Sequence, residues 1–258
     1  MKLKIKSLIT AIAACFVLLL VDACGAKADL DNITPATGAR VKFYHSVVGG
    51  PAYTVLLNDQ KWNALLVTAN AKYTDSINLG GIFPSIDYSA IPAGSAKFTI
   101  RQPFSADATG AKVAEGTFTL EDNKYYMLVA GDTLPTPKLY LVPDERYILK
   151  DITQTSLRFI NFLVGTPATG LEFYLKRNAT PFATLKYGEA SPYAEYSQTG
   201  TLTDTVVTRI PGSSTIIHTI ALGTTKLTSN RTYAFLFRGI NGATVAPKAP
   251  VLSIFTTN

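Results

Sequence analysis

The residue types that carry most catalysis and metal binding are scarce in this chain, and the few present are scattered. Only two histidines, His45 and His218, occur among the 258 residues. A zinc site needs three or four His, Cys or carboxylate ligands, and both cysteines, Cys15 and Cys24, lie near the N-terminus. The sequence therefore predicts no metal site and no cofactor. It predicts a structural hydrogen-bonding role for His45 and a partly buried or edge position for His218.

Acidic residues are sparse, and two pairs of them are adjacent in the sequence. Glu121-Asp122 and Asp144-Glu145 both fall at predicted turns. Because neighbouring residues on an extended chain point to opposite faces, neither pair suits the two opposed carboxylates of glycoside hydrolysis. The chain also lacks a Gly-x-Ser-x-Gly nucleophile elbow and a glycine-rich phosphate loop. We expect solvated turns and a non-enzymatic protein; the alternative is a secreted polysaccharide or peptidoglycan hydrolase with an unrecognised active site.

Aromatic residues near turns give the best indication of a ligand. Trp62, the single tryptophan, lies in the polar stretch 58–63, and Tyr187 and Tyr193 flank a predicted turn. Exposed aromatic rings with polar neighbours can dock sugar rings or side chains of a partner protein. These three residues are therefore the candidate ligand-binding residues, although the pattern favours a Trp62 that packs beneath its own loop.

The first 23 residues have the layout of a bacterial secretory signal. Lysines at positions 2, 4 and 6 precede an apolar segment of fifteen residues, 7–21. A helix of that length, about 22 Å, is shorter than the hydrocarbon core of a membrane, about 30 Å. This favours a cleaved signal peptide, 1–23, over a membrane span. The pair Ala23-Cys24 resembles the end of the bacterial lipobox, whose cysteine is acylated and becomes the new N-terminus.

We expect Cys24 to be the lipidated residue, since two acyl chains would anchor it firmly in the membrane. The stretch 12–15 fits the lipobox letters better, but cleavage there would leave the apolar residues 16–21 on the mature protein. An uncleaved anchor and an ordinary signal peptide are further alternatives. Residues 24–38 then form a tether. The expected location is the cell envelope, as an outer-membrane lipoprotein that faces the periplasm or the exterior.

The overall composition is typical of a well-packed β protein. Hydrophobic residues make up 47% of the chain and charged residues 16%, so a large core is available and disorder is not expected. The net charge of +6 includes three lysines of the signal, and the other charges are scattered without a basic run. Nucleic-acid binding, which needs a clustered basic surface, is therefore not expected.

An internal duplication organises the chain. Val41–Ala52 and Leu157–Ala168 match at a constant offset of 116 residues, and a glycine, a proline and an alanine coincide after each strand-like start. A second pair of segments, Gly116–Tyr126 and Gly223–Tyr233, matches at a constant offset of 107. Two long offsets that are each internally consistent indicate one structural unit built twice.

Each unit contains short runs of strand-forming residues separated by turn signals about every ten residues, the pattern of an immunoglobulin-like fold. We therefore predict an all-β protein with two tandem antiparallel β-sandwich domains, 39–152 and 153–258. Each domain is expected to have seven or eight strands. The charged stretch 143–150 is the expected joint between them.

Several of these elements together resemble the bacterial domain-of-unknown-function family 4397, found on secreted and lipid-anchored proteins. The matching elements are Arg40–Ser46, Pro51-Ala52, Ile91–Gly94, Leu120–Tyr126 and the Tyr-Gly…Tyr element at Tyr187, Gly188 and Tyr193. The similarity covers most of 39–255. The resemblance implies a fold and an envelope location, and no catalytic residue comes with it. We therefore expect a membrane-anchored protein that binds a glycan or a protein partner, or that acts as a spacer.

Overall fold

The computed structural model describes residues 37–63, 76–85, 87–103, 110–176, 178–197, 205–222 and 227–256. The signal peptide, Cys24 and most of the tether lie outside the described residues, as does the stretch 64–68, where the sequence predicts a further strand. Thr37–Asn258 forms one compact unit. Among the described residues there is no helix of the length and apolarity that crossing a membrane requires.

The strands of the first half are β1 (Ala39–His45), β2 (Thr54–Leu57), β3 (Gln60–Lys61), β4 (Ile82–Phe83), β5 (Ser89–Ile91), β6 (Gly94–Arg101), β7 (Lys112–Leu120), β8 (Tyr125–Gly131) and β9 (Lys138–Asp144). Those of the second half are β10 (Gln154–Val164), β11 (Leu171–Leu175), β12 (Ala183–Leu185), β13 (Ala194–Ser197), β14 (Thr205–Arg209), β15 (Ile216–Ala221), β16 (Arg231–Ile240) and β17 (Val251–Thr256).

Strand pairing divides these elements into two sandwiches of two sheets each. The first sandwich has one sheet in the order β4-β1-β8-β9, with β5 also paired to β1, and one in the order β3-β2-β6-β7. The second sandwich has sheets in the orders β13-β10-β16-β17 and β12-β11-β14-β15. The all-β sandwich architecture expected from the sequence is therefore confirmed.

One strand pair in each sandwich departs from the predicted antiparallel pattern. β1 pairs with β8, and β10 pairs with β16, in parallel register. In each case the intervening chain forms strands of the opposite sheet before it returns. This long return permits a parallel neighbour, whereas a tight hairpin can join only antiparallel strands.

The duplicated sequence corresponds to a duplicated turn. Asn123 and Asn230 occupy equivalent positions, and both have a left-handed backbone with φ of 57°. Three residues later, the hydroxyls of Tyr126 and Tyr233 each accept a hydrogen bond from a backbone N–H five residues upstream, at 3.3 and 3.2 Å. This arrangement is the tyrosine corner of immunoglobulin-like sandwiches. The matched sequence positions therefore carry matched structure.

His45 and Asn161 fill the same structural position in the two sandwiches. His45 Nδ1 accepts a hydrogen bond from the Val47 N–H at 3.2 Å, and Asn161 Oδ1 accepts one from the Leu163 N–H at 3.0 Å. His45 Nε2 donates to the carbonyl oxygen of Pro51 at 2.8 Å, so this pattern needs a neutral ring. The structural hydrogen-bonding role predicted for His45 is confirmed. Burial lowers the pKa of His45 to about 4.

Replacing His45 with asparagine, the residue at its repeat position, should make the free energy of unfolding less dependent on pH between pH 7 and pH 4. Between about pH 6.5 and pH 4 the unfolded chain binds a proton at His45 that the folded chain does not. The wild type should therefore lose up to about 3 kcal/mol of its free energy of unfolding as the pH falls through this window. Urea unfolding of both proteins between pH 7 and pH 4 measures the difference. If the free energy of unfolding changed equally with pH in both proteins, His45 would not be the buried neutral residue described above.

Each sandwich has an apolar core between its two sheets. In the first, side chains from β1, β2, β6 and β8 meet, among them Phe43, Phe98 and Leu128. In the second, Phe159 lies against Phe173 with ring centroids 5.3 Å apart. These residues account for the apolar alternation that the sequence shows along its strands.

A third core lies between the two sandwiches, where the sequence predicted only a charged joint. It joins the outer face of the sheet containing β1 and β8 to the outer face of the sheet containing β10 and β16. Its buried members are Tyr44, Met127, Val129, Val142, Ile160, Phe162, Ala234 and Leu236. The four sheets therefore stack as one four-layer body. In β10, every residue except the two terminal ones is buried, because its inner face lies in the core of the second sandwich and its outer face lies in the third core.

Candidate functional site

Two basic residues that are equivalent in the repeat lie buried between the sandwiches. Lys42 on β1 is 0% exposed, and Arg158 on β10 is 4% exposed. Side chains alternate between the faces of a strand, so the register that sends Phe43 and Phe159 into their own cores turns both cations toward the other sandwich. A buried charge is costly unless it is paired and hydrogen-bonded. The contacts of these two cations therefore define the chemistry of the interface.

Asp144, the last residue of β9, is the ionic partner of Arg158. One Asp144 oxygen accepts a short hydrogen bond from the Arg158 guanidinium, and the other accepts one from the Tyr88 hydroxyl at 2.7 Å. Arg158 also donates to the carbonyl oxygen of Pro143 at 3.1 Å. The Asp144 side chain is fully buried. The prediction of a solvated pair at 144–145 is therefore wrong for Asp144, because β9 continues through it into the interface.

A tyrosine ring lies against each of the two cations. The Lys42 ammonium lies 4.6 Å from the centre of the Tyr88 ring, and the Arg158 guanidinium lies 5.0 Å from the centre of the Tyr193 ring. Burial lowers the pKa of Lys42, and the Asp144 carboxylate partly offsets this. Burial, reinforced by Asp144, raises the pKa of Tyr88, so its hydroxyl stays protonated as a donor. The network therefore holds the two sandwiches together.

Tyr187 makes a second set of contacts across the same interface. Its hydroxyl accepts a hydrogen bond from the Asp132 N–H at 2.7 Å. Its ring lies 5.7 Å from that of Tyr140 and 5.3 Å from that of Phe162. A Cβ on Gly131 would lie 2.8 Å from the Tyr187 hydroxyl and 2.9 Å from Phe162. Glycine at 131 therefore allows the close approach of the two sandwiches.

An open cleft of about 770 Å³ borders the Asp144–Arg158 ion pair, and we call it the interdomain cleft. Residues 141–145 of the first sandwich form one wall. Residues 182–185 and 188–192 of the second form the other. Because the shared core fixes the two sandwiches against each other, the two walls are held in a defined relation. The cleft falls in the size range of small-molecule sites.

The lining of the interdomain cleft combines apolar and hydrogen-bonding groups. Phe182 is a half-buried aromatic residue of the lining, while Thr184, Glu145 and Glu189 are exposed polar residues of the lining. Glu189 also accepts a hydrogen bond from the Lys186 N–H at 2.8 Å through one carboxylate oxygen. Such a lining can stack against a sugar ring and accept hydrogen bonds from its hydroxyls.

The structure brings together two of the three aromatic residues that the sequence singled out. Tyr187 and Tyr193 both lie at the interface, and Tyr193 is 7% exposed, so its ring offers little surface to a ligand. Trp62 lies apart from them in the first sandwich, half-buried, with its ring 5.5 Å from Phe83 and 5.4 Å from Phe98. Ligand binding by these residues stays a prediction.

Sequence reasoning missed the interface role of Lys42, Arg158, Asp144 and Tyr88, and it missed most of the residues that line the cleft. Lys42 and Arg158 did carry a signal, since a basic residue occurs at the same repeat position inside two apolar strands. Asp144 and Tyr88 carried none, because their partners are distant in sequence and are set only by the packing of the two sandwiches.

The histidines and acidic residues do not gather into a metal centre in the part of the chain that the structure describes. His218 lies on the edge strand β15, half-buried, as predicted. Its Nε2 lies 3.0 Å from Asn241 Oδ1, and its ring packs at 5.4 Å from Phe237. Burial lowers the pKa of His218. Its contacts are those of a packed side chain.

The comparisons with known proteins concern fold and family. A solved structure from Bacteroides fragilis, described as a "putative cell adhesion protein", is 10% identical with a TM-score of 0.20, covering 86% of this chain and 98% of that one. A likeness at this score is too distant to bear on function. No curated protein shows significant similarity. The family model described as "Domain of unknown function (DUF4397)" matches residues 39–171, just over half of the chain. The chain therefore belongs to the DUF4397 family.

Proposed function

We propose that this is a non-enzymatic, lipid-anchored protein of the cell envelope that binds a glycan in the interdomain cleft. The observation that carries the proposal is the cleft itself, whose two walls belong to different sandwiches held in place by a shared core. An aromatic ring, a hydroxyl and two exposed carboxylates on these walls are groups that can contact the apolar faces and the hydroxyls of sugars.

The hydrogen-bond partners of the buried Asp144 carboxylate support a binding protein over a hydrolase. Asp144 is the one cleft carboxylate withdrawn from solvent, which is the usual setting of a general acid. Its two oxygens are engaged by Arg158 and Tyr88, so it serves cohesion and is poorly placed to exchange protons with a substrate.

Filling the cleft should abolish glycan binding. Thr184 is exposed on the edge strand β12 and lines the cleft, so Thr184→Arg places a long side chain in the cleft without disturbing a core. We expect retention on an array of bacterial and host glycans to fall at least tenfold relative to the wild type. Thr119→Arg, at an exposed position of the edge strand β7, is the matched control and should bind normally. Equal retention by both variants, or none by the wild type, would refute the cleft as a glycan site.

Lipid anchoring is tested separately at Cys24. Cys24→Ser removes the thiol that the acyl chains would modify, so we expect the protein to move from the membrane fraction to the soluble envelope fraction. Cys15→Ser should leave the fractionation unchanged. The reverse result would place the lipid on Cys15, and two unchanged variants would rule out anchoring by either cysteine.

A further inference from the structure

One sheet of the second sandwich has an edge strand, β15, that contains no charged residue. β15 (Ile216–Ala221) is the last strand of its sheet and pairs on one side with β14. Among the described residues, no backbone hydrogen bond reaches its other side. The stretch 215–222 contains no charged residue and no proline. Native proteins usually guard such edges, because the open row of N–H and C=O groups can pair with another chain.

The equivalent edge of the first sandwich is guarded. β7 occupies the same place in its sheet as β15 does in the second sandwich. It carries Lys112 and Glu115, whose charged groups lie 3.6 Å apart and remain partly exposed. Since the two sandwiches arose from one repeated unit, this difference lies in the sequence of the edge and not in the fold.

The side chains of β15 suit strand pairing. Ile216 is 47% exposed, and Thr219 and Ala221 are also exposed. Three isoleucines and a threonine in six residues favour a strand conformation and cross-strand contacts. The sandwich has two other uncharged edge strands. β17 takes part in the interface between the sandwiches, since the Phe255 ring lies 5.8 Å from the Tyr44 ring, and β12 is only three residues long and lines the interdomain cleft. β15 is therefore the edge left open for a partner.

We propose that β15 pairs antiparallel with β15 of a second copy of this chain. A two-fold axis perpendicular to the sheet would set Thr219 opposite its own copy, His218 opposite Ile220 and Ile217 opposite Ala221. This contact is self-complementary, as a two-fold interface requires. A second β15 has the same length and is equally uncharged, whereas a charged strand would find no counter-charge on this edge. The pairing is independent of the glycan site and of the lipid.

Cross-linking the full chain in the bacterial envelope tests this pairing. Thr219→Cys places a thiol on the exposed face of β15, and a short bismaleimide tolerates a register shift of two residues. We expect most of the Thr219→Cys protein to migrate as a covalent dimer. Thr119→Cys on β7 is the matched control, and it should stay monomeric, as should the chain without an added cysteine.

A charge on the edge gives a second test. Ile216→Lys in the Thr219→Cys background should reduce the dimer at least tenfold, because two lysines would then face the opposing uncharged strand. A monomeric Thr219→Cys protein that still reacts with a monofunctional maleimide would overturn the proposal. Equal cross-linking at 119 and 219, or Thr219→Cys dimers that persist with Ile216→Lys, would show unspecific contact and overturn it as well.

Discussion

Replacing Asp144 with alanine should lower the free energy of unfolding by about 3–5 kcal/mol, the range seen when one partner of a buried ion pair is removed. Arg158 would keep its charge in a site where its side chain is only 5% exposed. Tyr88 would lose the carboxylate that accepts the hydrogen bond from its hydroxyl. Urea unfolding at pH 7, followed by circular dichroism, measures the loss.

The control for this variant is an ion pair at the surface. Lys97 and Asp59 lie 2.6 Å apart with side chains 35% and 65% exposed. Because water and salt screen such a pair, Asp59→Ala should cost less than about 1 kcal/mol. A small loss in both variants would mean that the Asp144–Arg158 pair is solvated, and this would contradict its place in the interface.

Replacing Phe162 with alanine should destabilise both sandwiches by about 3–5 kcal/mol in total, the cost of a large cavity in a packed core. Phe162 is fully buried in the third core, with ring centroids 5.3 Å from both Tyr140 and Tyr187. The residue belongs to the second sandwich, but its ring packs against Tyr140 of the first. Its removal therefore weakens the contact that couples them.

The fluorescence of Trp62 reports on the unfolding of the first sandwich, so it can show whether a change in the second sandwich affects the first. Trp62 is the only tryptophan, and it packs against the core of the first sandwich. In Phe162→Ala, we expect the denaturation midpoint reported by Trp62 fluorescence to fall together with the midpoint from circular dichroism. Val245→Ala, at a position 72% exposed, should shift neither midpoint appreciably. If the Trp62 midpoint stayed at the wild-type value, the two sandwiches would be uncoupled.

Much of the fold could be predicted because it depends on local patterns and on the repeat. Gly116–Tyr126 and its copy matched in sequence, and both form a left-handed Asn followed by a tyrosine corner. His45 could be assigned a structural role because its repeat position holds Asn161. In each case the chemistry of the position is satisfied by backbone groups within a few residues.

The packing of one sandwich on the other could not be predicted in the same way. The run 125–130 is almost entirely apolar, which indicates burial on both faces of a strand, but an apolar outer face does not reveal what covers it. The sequence predicts only a charged joint at 143–150, with a solvated turn at Asp144-Glu145. The structure uses Pro143 and Asp144 in a strand, since the interface supplies Arg158 and Tyr88 as partners.

The contacts of the candidate ligand-binding residues also could not be predicted from the sequence. The sequence points to Tyr187 and Tyr193 as ligand-binding residues because aromatic rings near turns are often exposed. The structure does have a turn at 187–188. Their rings instead contact Phe162 and Arg158. The cleft that they help to support is lined by neighbours such as Thr184 and Glu189, whose residue types carry no special signal in a sequence.

The joining of two sandwiches into one body by a third core is tested most directly by scanning calorimetry of the wild-type protein. We expect a single transition whose calorimetric and van't Hoff enthalpies agree, because the two sandwiches should unfold together. Two separate transitions, or a van't Hoff enthalpy near half the calorimetric value, would show that the sandwiches unfold independently and would contradict the shared core.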